Sequence, residues 1–340
     1  MKSNTNDTLM QQANSPPSSN VQDPQLPRVS VIMPAYNARA FVAESIHSVL
    51  NQDYPNIELI LVDDGSNDGT PEFAEQLDRR VRVLRQKNAG PAAARNRGLA
   101  AATGEFMAFL DADDVWLPRK VSLQVEYLQT HPEVGVVFGG ELRWYAQADG
   151  SFAAPPTPLR QDEPLRLVAQ HSGWIYTELL LDSVIHIITA MVRRTVVETV
   201  GGLDESLRVG EDYDFWLRVS RQYRIDELDR SLAYYRKHAS STTQVPRKEN
   251  CEYTVLQNNI TRYGLAGPDN IPVPSHALQA RCFRLCFNHG HFHYHAGDPQ
   301  VAQMAFGNAL RHKALKPKAW VYWLLSKLKR GGARGNVNLT

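Results

Sequence analysis

The chain has 340 residues, 43% of them hydrophobic, enough for one large α/β core and roughly a hundred residues beyond it. Its 37 Lys and Arg against 36 Asp and Glu leave a net charge of +1, so no global field draws it to nucleic acid. The three cysteines, Cys251, Cys282 and Cys286, all lie in the last third; they do not make the disulfide framework of a secreted protein and fit a reducing cytoplasm.

Residues 1–27 have neither a basic start nor an apolar run, which excludes a signal peptide or anchor there and predicts a disordered leader. From Val29 to Gly140, short apolar runs alternate with amphipathic stretches, the pattern of a mostly parallel sheet covered by helices. Strands are expected at Val29 to Met33, Glu58 to Val62, Val81 to Leu84, Phe106 to Leu110 and Val134 to Phe138. Helices are expected near Ala40 to Gln52, Pro71 to Arg79, Pro91 to Ala102 and Pro118 to Thr130, three of them opening on a proline, which has no amide hydrogen to lose in the first turn. The Pro-rich stretch of 150–170 reads as a surface excursion. A second α/β stretch follows to about Ser241, and the rest is helical. This gives a leader at 1–27, a catalytic domain at 28–245, a helical extension at 246–330 and a flexible tail at 331–340.

Ligands of an open parallel sheet bind at the carboxyl ends of its strands. Here those ends are acidic: Asp63-Asp64-Gly65-Ser66 follows Val62, and Asp111-Ala112-Asp113-Asp114 follows Leu110. One such cluster alone is an ordinary turn. Two at equivalent ends of one sheet repel and call for a cation or donors, and carboxylates with room for water and phosphate suit magnesium or manganese rather than structural zinc. That combination implies a diphosphate ligand.

Several motifs occur in order: VSVIMPAYN at 29–37, VDDGSNDGT at 62–70, NAGPAAARNRG at 88–98, FLDADDVWLP at 109–118, GGLDESL at 201–207, GEDYDFWLRV at 210–219 and YYRKH at 234–238. Together they resemble family-two glycosyltransferases of the GT-A fold, over about residues 28–241. The resemblance implies that Pro34, Ala35 and Tyr36 line a nucleotide pocket and that Asp63 holds the base or ribose. Asp111 and Asp113 match an Asp-x-Asp signature, with Asp111 on the ribose and Asp113 on the metal. Arg95, one turn beyond Pro91, can serve the donor phosphates or pair with a neighbouring aspartate. Trp116 can flank the sugar or belong to the core. By the same resemblance Asp212 is the general base, Glu211 places the acceptor hydroxyl, Arg236 faces the diphosphate and His238 completes the metal shell.

The expected function is therefore transfer of a sugar from a nucleotide diphosphate to an acceptor hydroxyl, with inversion and with Mn²⁺ or Mg²⁺, in cell-surface polysaccharide or glycoconjugate synthesis. The acceptor would be a glycan or a lipid-linked species. Alternatives are an inactive carbohydrate-binding or scaffold protein on the same fold, and a sugar-phosphate nucleotidyltransferase. The latter wants a glycine-rich phosphate loop after the first strand, where this chain has Pro34-Ala35-Tyr36-Asn37, and no Gly-x-Gly-x-x-Gly marks a dinucleotide enzyme there either.

Two C-terminal features remain. Cys282, Cys286, His289 and His293 would share a face of a continuous helix, as a zinc site requires, but Gly290 and the unfamiliar spacing favour packing. From Arg311 onward there are eight Lys or Arg and no acids, interleaved with Trp320, Tyr322, Trp323, Leu324, Leu325 and Leu328. That composition suits either a helix on an anionic membrane, with residues 311–334 making a peripheral contact at the inner face, or a packed helix with a basic edge.

Overall fold

The structure, a computed structural model, describes residues 26–158, 161, 163–238 and 247–334. Most of the expected leader, the expected boundary near residue 245 and the last six residues of the tail lie outside the described residues.

One eight-stranded sheet runs through the described residues in the order β3-β2-β1-β4-β7-β6-β8-β5. Its first half is built from β1 (Val29–Ala35), β2 (Ile57–Asp63), β3 (Val81–Arg85) and β4 (Phe106–Phe109), all parallel. These strands are near-continuous apolar runs because helices cover them, and Val31, Ile32, Leu61, Phe106 and Phe109 are sealed from solvent. Between them come α1 (Val42–Leu50), α2 (Thr70–Leu77) and α3 (Pro91–Ala101), and after β4 comes α4 (Lys120–Thr130). Helix α3 packs close on β1: a Cβ on Gly98 would lie 2.5 Å from the Ile32 side chain, so glycine sets that approach.

The fourth expected helix does not open on its proline. Arg119, at φ 65°, takes the left-handed conformation before it, and the helix starts at Lys120.

The other half of the sheet is mixed. It holds β5 (Val115–Trp116), β6 (Val134–Tyr145), β7 (Met191–Arg193) and β8 (Arg224–Lys237). Strand β7 is antiparallel to both β4 and β6, while β6 and β8 are parallel over a long, bulged register. That partnership carries β6 to Tyr145, seven residues past its expected end at Phe138, where its own sequence has turned polar. Helices α5 (Tyr176–Leu181), α6 (Arg194–Val200) and α7 (Glu211–Val219) complete this half.

Beyond the sheet lie α8 (Cys251–Tyr263), α9 (Ser275–Ala296), α10 (Pro299–His312) and α11 (Pro317–Arg334). The buried Arg281 of α9 ties the extension inward, donating to Asp182 at 2.8 Å and to Glu252. Helix α9 is continuous through Gly290, where a Cβ would meet the Phe306 ring at 3.0 Å. Two of its histidines turn to the main chain: His289 Nε2 lies 3.3 Å from the Lys248 carbonyl and His293 Nε2 lies 2.6 Å from that of Arg247. Because His293 Nδ1 accepts the Asp298 amide at 3.1 Å, the ring proton must sit on Nε2 and be given to Arg247. Cys282 accepts from Gln257, and no group of three or more His, Cys, Asp or Glu converges as an ion site among the described residues.

Candidate active site

The carboxyl ends of β1, β2 and β4 open into a cleft of about 700 Å³. One wall is Pro34, Ala35 and Tyr36 from the end of β1, Asp64 after β2, and Asn88 to Arg95 at the start of α3. Asp111 and Asp113, just past β4, form the floor, and the opposite wall brings Arg208, Glu211 and Asp212 with Tyr235, His238 and Arg247. Segments more than a hundred residues apart in sequence thus meet in one space.

The β1 end is shaped by short polar links. Asn37, at φ 50°, donates its amide to Ser66 Oγ at 2.9 Å, and its side-chain oxygen accepts the Asn67 amide at 2.9 Å. Tyr36 is left 55% exposed over the cleft. Asp63 is buried and accepts the Ser66 amide at 3.3 Å; it lies behind the cleft wall, and Asp64 lines it instead. The Asp64 carboxylate accepts from Gln86 Nε2, the Ala89 amide and the Gly90 amide, each at 2.8 Å, and so shapes the turn leading into α3.

Arg95 stands one turn into α3 and is buried. It donates to Glu211 Oε1 at 2.7 Å and to Asp111 Oδ1 at 2.6 Å, bridging the two walls. Those two anions raise the guanidinium pKa despite its burial, so it stays charged. Of the two roles open to it from the sequence, the ion pair is the one seen.

Glu211 and Asp212 open α7, whose N-cap Gly210 sits at φ 86°, a backbone state that suits glycine. The Asp212 carboxylate accepts the Tyr213 amide at 2.8 Å, and burial, opposed by Arg95, raises its pKa above the ordinary 3.8. Burial likewise raises Glu211, against the pull of Arg95.

Asp113 has a different neighbour. Its Oδ2 lies 3.0 Å from His238 Nε2, and the His238 ring stacks on Phe41 with centroids 4.7 Å apart. Asp114 turns away into the core, where one oxygen accepts the Arg236 amide at 2.8 Å. Arg236 does not line the cleft. It is buried against the Phe41, Trp144 and Phe152 rings, donates to the Asp113 carbonyl at 3.0 Å and pairs with Glu44, so it braces Asp113 from behind. Trp116 takes the core reading: it is buried and donates its indole N–H to the Ile188 carbonyl at 2.8 Å.

Of the residues singled out from sequence, Pro34, Ala35, Tyr36, Arg95, Asp111, Asp113, Glu211, Asp212 and His238 share the cleft, while Asp63 and Arg236 stand behind its walls. The reading missed Asp64, whose position beside Asp63 in VDDGS was the available signal. It also missed Arg208 and Arg247, which no motif marks.

Known proteins place this architecture. Residues 30–162 match the model of glycosyl transferase family 2. The chain is 32% identical over 216 residues to the putative teichuronic acid biosynthesis glycosyltransferase TuaG of Bacillus subtilis, covering 62% of this chain and 79% of that protein. It is 30% identical over 248 residues, 71% of this chain, to an uncharacterized glycosyltransferase of Rickettsia felis, of whose length it spans 38%. Its fold is that of GT-A enzymes: S. aureus TarS 1–349, solved with UDP, superposes with a TM-score of 0.62 at 18% identity, covering 92% of this chain and 93% of that one. The mannosyltransferase PcManGT of Pyrobaculum calidifontis, solved with GDP-Man and Mn²⁺, does so with 0.53 at 20% identity, covering 92% and 87%. The chain belongs to glycosyl transferase family 2 and is a glycosyltransferase.

Proposed function

We propose that this chain transfers a sugar from a nucleotide diphosphate to an acceptor hydroxyl with inversion, using Mn²⁺ or Mg²⁺. The observation that carries the reading is the meeting of Asp113 and His238 with Asp212 across one cleft. The nucleotide would lie along Pro34, Ala35 and Tyr36. Asp63, at the end of β2, would serve the base or ribose, and Asp111 would be the second ribose contact.

Two protein side chains, one carboxylate and one imidazole, are what a cation needs when phosphate oxygens and water supply the rest. Asp113 and His238 would hold it, and when bound it would offset the charge that develops on the departing diphosphate. Arg95 holds Asp111 and Glu211 in place, and Arg236 sets the backbone that presents Asp113. Asp212 takes the proton of the acceptor hydroxyl as it attacks opposite the leaving group, and Glu211 helps to position that hydroxyl. Direct attack with one carboxylate base inverts the anomeric centre, without the paired carboxyls of a glycoside hydrolase.

The likeness to a putative teichuronic acid biosynthesis glycosyltransferase of Bacillus subtilis supports a glycan or lipid-linked acceptor in cell-surface polysaccharide synthesis. Such an acceptor brings a cytoplasmic enzyme to the inner face of a membrane, as a peripheral visitor. Among the described residues no helix is long and apolar enough to cross one.

Calorimetry of UDP- and GDP-sugars with and without manganese tests the reading. Donor binding should require the metal in the natural protein and lose that requirement, with most of its affinity, in Asp113→Ala. Equal affinity with and without manganese overturns the metal assignment. No hydrolysis of uridine-, guanosine- or thymidine-diphosphate sugars returns the chain to the carbohydrate-binding alternative.

A further inference from the structure

Helix α11 has two faces of opposite fate. At about 100° per residue, Ala319, Tyr322, Trp323 and Ser326 fall on one side. Ala319 and Ser326 are fully buried, and the Tyr322 ring stacks on Phe306 of α10 with centroids 5.4 Å apart and meets Phe287 and Tyr294 of α9 edge-on. The opposite side is apolar too: Trp320, Val321, Leu324, Leu325 and Leu328 are 47%, 53%, 51%, 39% and 72% exposed. They span an arc of roughly 140°. A helix with only a solvated basic edge would not put these side chains in water.

Charge frames the stripe. Lys327 lies along one edge, Lys318 and Lys329 along the other, and Lys313, Lys316 and the 94% exposed Leu315 stand at the near end. No acid occurs between Arg311 and Thr340, so nothing in this part of the chain offsets the lysines. An apolar stripe flanked by lysines on both sides complements a surface that is apolar beneath and negative on top, with lysine stems lying along the hydrocarbon boundary.

We propose that the outward face of α11 is a membrane-docking surface that seats the protein flat on a bilayer rich in anionic lipid. The buried face fastens α11 to α9 and α10, so docking needs no rearrangement of the fold. This goes beyond the proposed reaction and stands whether or not that reading holds.

Co-sedimentation of the full chain with vesicles tests it. Phosphatidylcholine vesicles with about a third phosphatidylglycerol should bind the protein, pure phosphatidylcholine should bind it poorly, and added salt should release it. The double variant Leu324→Glu, Leu328→Glu should partition more than about tenfold less, since two apolar anchors become anions. Lys313→Gln and Lys316→Gln should each weaken binding about fivefold. All four positions are at least partly exposed, and unchanged melting curves establish that the variants fold. Absence of binding to anionic vesicles overturns the proposal, as does binding that the leucine variant leaves intact. A dimer seen by light scattering that the same variant dissolves, without vesicle binding, overturns it and assigns the face to a second copy of this chain.

Discussion

Five carboxylates line the cleft, and among those on its floor and far wall the two held by Arg95 live differently from Asp113 and Asp212. Asp111 on the floor and Glu211 on the far wall share one buried guanidinium at 2.6 and 2.7 Å. Asp113 has an imidazole at 3.0 Å, and Asp212 has the Tyr213 amide at 2.8 Å. A carboxylate locked to a guanidinium cannot accept a cation or a proton without leaving a buried charge behind. One with only an imidazole or an amide can do either. The first pair joins the walls; the second is available for chemistry.

The largest expected effect comes from breaking the lock. Arg95→Ala leaves two carboxylates uncompensated and should cost about 3–5 kcal/mol of stability, with activity lost alongside, read by denaturant melts. A loss below about 1 kcal/mol would erase the distinction between the pairs.

Asp212→Asn should slow transfer by about 10²–10⁴-fold while leaving donor binding largely intact. Near-normal turnover removes Asp212 from the role of base. Its effect on stability should run the other way from that of Arg95. Burial raises the Asp212 pKa above 3.8, so the folded state holds its proton more tightly than the unfolded chain. The ionised group therefore costs stability at neutral pH, and the asparagine variant should melt no lower there. Its advantage should shrink as pH falls to the ordinary aspartate range, where both states are protonated.

Glu211→Gln should slow transfer less than Asp212→Asn. It replaces the charge-assisted bond to Arg95 with a neutral one, and because burial raises the Glu211 pKa too, its stability at neutral pH should change less than that of Arg95→Ala. If Glu211→Gln proves the slower enzyme, the base belongs on Glu211.

The smallest effect is a displaced pH profile. The acid limb of the transfer rate should lie above the ordinary aspartate value, because the base must be ionised and burial opposes this. That limb should be absent from the residual activity of Asp212→Asn.

The sequence was most legible where structure is local. The strands of the parallel half lie within two residues of their expected ends because apolar runs bounded by turns carry that information. The acidic strand ends could be read because strand ends in such a sheet face one opening. What could not be read depends on partners far away in the chain. Strand β6 is lengthened by β8, a two-residue β5 exists only as its neighbour, and Arg236 looks from sequence like a cleft residue until Phe41, Trp144 and Phe152 close around it. The choice between the two roles of Arg95 likewise needed Glu211, 116 residues away. Of the two readings of the last helix, packing is seen on its inner face, and its exposed apolar face is the one the membrane-docking proposal rests on.

The hydrogen bonds of His293 bind the helical extension to the rim of the cleft. By giving its one ring proton to the Arg247 carbonyl while accepting the Asp298 amide, this side chain clips a rim residue to the far end of α9. A shortened protein ending before α9 would keep every recognised motif yet release that clip, so trimming to the motif-bearing portion would unfasten the mouth it was meant to isolate.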